Sequence, residues 1–208
     1  MGDLESTNVS MVSIQRRAEM RAARTSDSAR RSVEVVILAG GLSERMGRDK
    51  ARLRLGGRSL LSILRQVSRE AGLPCRVLRR DTVKRCGPLG GILTALTSSK
   101  HEACLFLSCD MPFITPVLLR EIVRSSRGQR TARFCNSEGR RGFPALIWQD
   151  HLRKVQNAIN AQQFSIQSLA QRIRARTPRS SAGSEDELFN VNTPEEWRTA
   201  RRLWAERG

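Results

Sequence analysis

VEVVILAGGLSERMGRDK, from Val33 to Lys50, is the stretch that decides how this chain folds. Its first six residues are a short, largely β-branched run that leads straight into glycines, the signature of a buried strand. A loop comes next: Ala39-Gly40-Gly41, then Ser43, Arg45, Gly47, Asp49 and Lys50. It is neither GxGxxG nor a P-loop, since its glycines are spaced differently and no GK[ST] closes it. Its physical sense is still that of an anion cradle. Glycines let backbone N–H groups approach phosphate oxygens, while Arg45 offers a fork and Lys50 a point charge. A glycine turn with two solvated cations is the competing interpretation. Against it, Lys50 is one of only four lysines (with Lys84, Lys100 and Lys154) among 37 basic residues.

Moving outward, Leu60, Leu61, Ile63, Leu64 and Val67 fall at helical spacing after Ser59, and Gly72 with Pro74 ends the run. Cys75 to Leu78 is a second strand, and a polar loop then leads to Pro88 and a short helix carrying Ile92, Leu93 and Leu96. Ala103 to Leu107 is a third, fully apolar strand. Thr115-Pro116 supplies an N-cap and a first-turn proline for a helix that buries Leu118, Leu119, Ile122 and Val123. Three strand–helix alternations predict a three-layer α/β/α fold with a mostly parallel central sheet and right-handed crossovers.

Beyond Ser125, strands near Thr131 to Cys135 and at Ala145 to Trp148 flank a turn at Asn136 to Gly139 and are expected to pair antiparallel. Helices are expected over His151 to Ile159 and from a Ser165 cap through Arg174, followed by a polar loop from Ser180 to Asp186. Leu188 to Val191 reads as a short strand. Thr193-Pro194-Glu195-Glu196 then forms a capping box for a final helix, with Trp197, Ala200, Arg201 and Trp204 on its packing face. Residues 33–208 are expected to form a single domain. Residues 1–32, rich in Ser, Thr, Arg and Ala, read as a disordered tail with a possible short helix at Ser13 to Arg24.

A net charge of +17 predicts attraction to polyanions without specifying a fold. A nucleic-acid-binding protein is one class such charge allows, but no aromatic-rich or helix-turn-helix pattern supports it. Five cysteines, an odd number without a CxxC pair, fit neither a zinc site nor a disulfide framework and suit a reducing cytoplasm. No run approaches 18 apolar residues, so no membrane span is expected.

In open α/β sheets ligands bind beyond the carboxyl ends of the strands, which directs attention to the residues after Leu38, Leu78 and Leu107. After the third strand come Ser108-Cys109-Asp110-Met111-Pro112-Phe113. A carboxylate there can hold Mg²⁺ against phosphate oxygens, because Mg²⁺ prefers hard oxygen ligands and few carboxylates. An Asx-turn is the alternative. After the second strand come Asp81 and then Gly87-Pro88-Leu89-Gly90-Gly91, a helix start suited to an anion or a base edge, or a close-packing loop. Asn190 and Asn192 flank Val191, so a strand would point both amides to one face, unless they serve to cap the next helix.

In this order and together, LAGG-x-S-x-R-M-G-x-D-K at Leu38 to Lys50, Asp81 ahead of GPLGG at Gly87 to Gly91, CDMPF at Cys109 to Phe113 and FNVNTPEE at Phe189 to Glu196 resemble the molybdenum cofactor guanylyltransferase family. That family lies within the wider nucleotidyltransferases, and the resemblance spans Val33 to about Glu196. It implies a nucleotide-diphospho-sugar transferase-like fold, nucleotide contacts from Leu38, Ala39, Gly40, Lys50, Asp81 and Asp110, Mg²⁺ on Asp110, and a pterin substrate near Asn190 and Asn192. One departure stands out. The family carries an extra strand and connection before the Asp81 position, with an asparagine that helps read the base, where Gly72 to Asp81 leaves room for one short strand.

The implied reaction is attack by the terminal phosphate of molybdenum-bound molybdopterin on the α-phosphorus of GTP. The products are molybdopterin guanine dinucleotide and pyrophosphate. A phosphate monoester has a second pKa of about 6 and needs no strong base to become a nucleophile. Catalysis then rests on Asp110 with Mg²⁺ and on Lys50 and Arg45 stabilising charge as the pyrophosphate leaves. Delivery or acceptor enzymes of the cofactor are further expected partners. Transfer from CTP, a different phosphorylated acceptor, and a catalytically inactive nucleotide binder remain as alternatives.

Overall fold

The computed structural model of the protein describes residues 33–39, 53–83, 85–126, 128–137, 139–178 and 186–207. The expected tail over 1–32, Gly40, Arg45 and Lys50, and the polar loop from Ser180 to Asp186 except Asp186 itself lie outside them.

β1 (Val33–Leu38) is the centre of the architecture. It pairs in parallel with β4 (Cys75–Leu78) on one side and β5 (Ala103–Ser108) on the other. The sheet continues through β7 (Arg140–Trp148), antiparallel to β5, to β6 (Arg133–Ser137), giving the order β4-β1-β5-β7-β6. The near-continuous burial of β1 and β5 explains their largely apolar sequences, broken within β1 by Glu34, since both faces are covered. On one face, Val35, Ile37, Leu105 and Leu107 pack against Leu61 and Leu64 of α1 (Leu60–Glu70) and Leu118, Leu119 and Ile122 of α3 (Pro116–Ser125). On the other, Val36, Phe106 and Ile147 meet Leu89, Ile92 and Leu96 of α2 (Pro88–Ser98). Val155 and Ile159 of α4 (Leu152–Asn160) and Leu169 of α5 (Ile166–Arg172) complete that side. These are the three layers that the alternating pattern predicts.

Local signals set the element ends. Ser59 caps α1 by accepting from the Ser62 N–H at 3.1 Å, and Gly72, at φ 73°, closes it in the left-handed region. Thr115 caps α3 by accepting from the Leu118 N–H at 3.2 Å. α6 (Pro194–Glu206) opens with the full capping box of Thr193 and Glu196. Among the described residues no helix is long and apolar enough to cross a membrane.

Four expectations need correction. β6 runs to Ser137 and β7 starts at Arg140, so the hairpin extends into the region read as a turn, with a register shift between Phe134 and Cys135. α5 stops at Arg172, short of Arg174, which sits at φ 53°. Leu188 to Val191 is not a strand: it joins no ladder among the described residues, and its Val191 N–H donates instead to the Asp110 carbonyl at 2.9 Å. Arg201 is exposed, and Leu203 takes its place beside Trp197, Ala200 and Trp204.

The structure adds a small hairpin that the sequence pattern does not announce: β2 (Arg54–Leu55) and β3 (Arg58–Ser59), turned by Gly56 and Gly57 at φ 53° and 76°. α6 closes over it. A Cβ on Gly56 would lie 2.4 Å from Trp204 Nε1, and Leu55, Leu60, Phe113, Val191 and Ala200 form a third apolar cluster there.

At the amino end of the sheet, Glu34 is 6% exposed although charged. Arg76 answers it, donating from Nε at 3.0 Å and from a terminal nitrogen at 3.1 Å, and also donating to the Ala95 carbonyl at 2.9 Å. The Cys104 thiol approaches the same carboxylate at 3.6 Å.

Candidate active site

The chain order β1, then β4 on one side, then β5 on the other, makes a topological switch between β1 and β5, where open α/β sheets bind ligands. Leu38 pairs with Leu78 and with Ser108, so the three strand ends stand level. Backbone bonds extend the alignment: the Ala39 N–H donates to the Leu78 carbonyl at 2.8 Å, and the Cys109 N–H donates to the Leu38 carbonyl at 3.3 Å. Leu38 and Ala39 therefore sit at the carboxyl end of β1, beside the switch point.

Asp81 lies three residues past β4, against the first turn of α2. A Cβ on Gly91 would be 3.2 Å from Asp81 Oδ1 and 3.0 Å from Leu38 Cδ2. One on Gly90 would be 3.3 Å from Asp81 Oδ2 and 2.6 Å from the Val83 carbonyl oxygen, closer than real side chains come. Glycine is required at Gly90, where the obstacle is backbone, and at Gly91 a side chain would push the ends of Leu38 and Asp81 aside by a few tenths of an ångström, so strand end, carboxylate loop and helix touch only across small residues. Close packing and site-building are thus one feature. Among the described residues no side chain or N–H engages the Asp81 carboxylate, and burial pushes its pKa above the ordinary aspartate value. The amino end of α2 has no side-chain cap, and Gly87 precedes it at φ 53°.

Asp110 follows β5 by two residues and is half-buried. Through the bond from Val191 to its carbonyl it is tied to the segment that carries both asparagines. Val191 is fully buried while Asn190 and Asn192 are exposed, so the alternation inferred from sequence survives without a strand. The Asn190 side-chain amide donates to the Leu188 carbonyl at 3.3 Å. The backbone of Asn192 joins the capping network, donating to Glu196 at 2.6 Å. The fold thus brings together Leu38, Ala39, Asp81 and the glycines on one side, and Asp110, Asn190 and Asn192 on the other.

Both histidines lie at the opposite end of the sheet, because Ala103 pairs with Trp148 and His101 and His151 flank that pair. None of the five cysteines forms a disulfide among the described residues, and burial pushes Cys104 and Cys135 to about 12, far from nucleophilic use near neutrality. Among the described residues no group of three or more His, Cys, Asp and Glu could cage a metal. A cation at Asp110 would find no further cluster of such ligands among the described residues, a sparse set that would suit Mg²⁺. A cavity of about 320 Å³ lies behind the Pro112 to Pro116 loop, lined by Ile63, Phe113, Trp204, Arg58 and Arg207 among others, and includes none of these residues.

The family model described as the MobA-like NTP transferase domain matches residues 35–78 and 64–177. A relative from Pelotomaculum thermopropionicum, named "Probable molybdenum cofactor guanylyltransferase", is 31% identical over 185 residues, covering 80% of this chain and 90% of its own length. Among solved structures, a nucleotidyl transferase from Methanothermobacter thermautotroptrophicus superposes with a TM-score of 0.71 at 20% identity, covering 85% of this chain and 99% of that one. The molybdopterin-guanine dinucleotide biosynthesis protein A of Archaeoglobus fulgidus gives 0.65 at 19% identity, covering 83% and 99%. Both structures share the layered sheet of this chain. These likenesses establish that the chain belongs to the MobA-like NTP transferase family, among its molybdenum cofactor guanylyltransferases, and is a nucleotidyltransferase.

Proposed function

We propose that the enzyme transfers GMP from GTP to the terminal phosphate of molybdenum-bound molybdopterin, releasing pyrophosphate, with Mg²⁺ as its metal. The observation that carries this is the division of the carboxyl end of the sheet. A carboxylate without a partner among the described residues stands in a glycine-lined slot beside Leu38, and a second carboxylate stands beside exposed amides beyond β5. Guanine presents an N1–H and a 2-amino group side by side, and the two oxygens of an ionised Asp81 can accept from both. Adenine and cytosine lack that donor pair.

Asp110 is a hard oxygen donor fit for Mg²⁺, which when bound neutralises phosphate charge. Lys50 and Arg45, outside the described residues, follow Ala39 closely enough in the chain to reach the phosphates. Asn190 and Asn192 orient the acceptor. In the transfer itself, a terminal phosphate oxygen of molybdopterin bonds to the α-phosphorus as the bond from that phosphorus to the oxygen bridging to the β-phosphate breaks. Pyrophosphate leaves with that electron pair. No residue need act as strong base, in keeping with histidines at the far end of the sheet. Residues 33–208 act as one nucleotidyltransferase domain, supported by the cluster that α6 shares with α1 and the β2–β3 hairpin. Cysteines outside any disulfide among the described residues suit a reducing cytoplasm.

The test is pyrophosphate release from each of the four nucleoside triphosphates, with Mg²⁺, in the presence and absence of molybdopterin. Release that requires both GTP and molybdopterin is the expected result. Equal release from CTP contradicts the base assignment, and release indifferent to molybdopterin contradicts the acceptor.

A further inference from the structure

Asp81 can select a base only if its carboxylate is held still, and β4 ends three residues before it. The loop is instead anchored by a residue that reads from sequence as an ordinary helix position. Thr94, 8% exposed on α2, donates from its hydroxyl to the Gly90 carbonyl at 2.8 Å. That bond is a common back-bond within a helix and by itself implies nothing. The same oxygen, however, receives the Thr82 N–H at 2.9 Å and lies 2.9 Å from the Thr82 hydroxyl.

The proton count fixes the direction of the last contact. Thr94 has one hydroxyl proton, already directed to Gly90, so the Thr82 hydroxyl must donate. The Thr94 oxygen then gives one hydrogen bond and accepts two, which saturates it. Thr82 follows Asp81 directly. Val83, the next residue, presses its carbonyl to 2.6 Å from where a Gly90 side chain would begin. A single buried hydroxyl thus ties the Asp81 loop to the turn of α2 that forms the wall of the slot.

We propose that Thr94 is a positioning residue for base selection, acting through Thr82 to hold Asp81 against Gly90 and Gly91. The inference rests on the assignment of guanine to Asp81. It also bears on the missing segment before Asp81: a chain with one short strand there fastens the loop from the helix side.

The experiment measures binding of GTP, ITP and ATP to the full chain with Mg²⁺. ITP lacks the 2-amino donor, so the GTP-to-ITP affinity ratio reports the alignment of Asp81. Thr94→Val keeps the shape and removes the hydrogen bonds. It should weaken GTP about tenfold and bring the ratio towards one, whereas Thr94→Ser should stay within about twofold of wild type. Thr82→Val, at an exposed position, removes only the donated hydroxyl bond and should lower the ratio about threefold, which keeps the test open if Thr94→Val fails to fold. A purely structural role lowers thermal stability and leaves the ratio intact; that result in the folded variants overturns the proposal. A wild-type chain that binds all three nucleotides equally overturns the guanine assignment together with the latch. A wild-type preference for GTP that persists in the variants overturns the latch alone.

Discussion

Glu34 and Asp81 are acidic side chains set into opposite ends of the same sheet, and their surroundings could hardly differ more. Burial pushes the Glu34 carboxyl up, but hydrogen bonds from Arg76 and Ser99 and the nearby charges of Arg76 and His101 outweigh it, leaving its pKa below the ordinary value. At Asp81 burial acts alone and pushes the pKa up. A buried charge that is fully answered from within serves the fold, whereas one left without a partner among the described residues is a place for a ligand. The amino end of the sheet is therefore the structural end, and the carboxyl end is where chemistry is expected.

The contrast is sharpened first at the carboxyl end. Asp110→Asn should lower turnover by at least about 100-fold with an unchanged melting temperature, as expected for losing the group that organises charge on the phosphates. A variant that keeps most of its activity contradicts the metal assignment.

Next in size, Glu34→Gln should cost about 2 kcal/mol in denaturant unfolding while activity per folded molecule stays at wild type. The pH dependence has a definite sign. A carboxyl whose pKa is lowered by folding stabilises above its unfolded value of about 4.3, and the contribution is lost as pH falls through the folded pKa. Acidification should thus cost wild type more stability than Glu34→Gln. Equal slopes would erase the distinction between the two ends.

Asp81→Asn should behave in the opposite way, losing about tenfold in GTP affinity while stability at neutral pH is unchanged or slightly higher. Because its pKa is raised on folding, the native state binds the extra proton, and this group's effect on stability turns less favourable as pH rises. GTP binding should weaken on acidification below neutrality as Asp81 protonates, and the variant should lack that step. Smallest of all, Asn190→Ala and Asn192→Ala should each raise the KM for molybdopterin about three- to fivefold without changing that for GTP. A change in the GTP value would move the amides to the donor side.

Much of this layout is legible in the sequence where local and global preferences agree. Val33 to Leu38 and Cys75 to Leu78 are strands with the expected bounds, and Ser59, Thr115 and Thr193 cap their helices through side chains that leave little alternative. The β2–β3 hairpin is hidden because two-residue strands have no periodicity, and its Gly56-Gly57 turn is held by Trp204, far along the chain. Leu188 to Val191 misleads for the converse reason. Its alternation is real, but it arises from Val191 entering the cluster beneath α6 rather than from a ladder. At the site, Asp81 and GPLGG are visible as separate motifs. Their contact is not, because it depends on Thr94, whose hydroxyl carries no signal until the loop is folded against it.

The most direct measurement of the central claim is the mass of the product formed when the full chain is incubated with Mg²⁺, molybdopterin and an equimolar mixture of the four nucleoside triphosphates. Molybdopterin extended by one GMP, with pyrophosphate formed in equal amount, is the expected result. Molybdopterin carrying CMP, or recovered unmodified while the enzyme binds GTP, would contradict it.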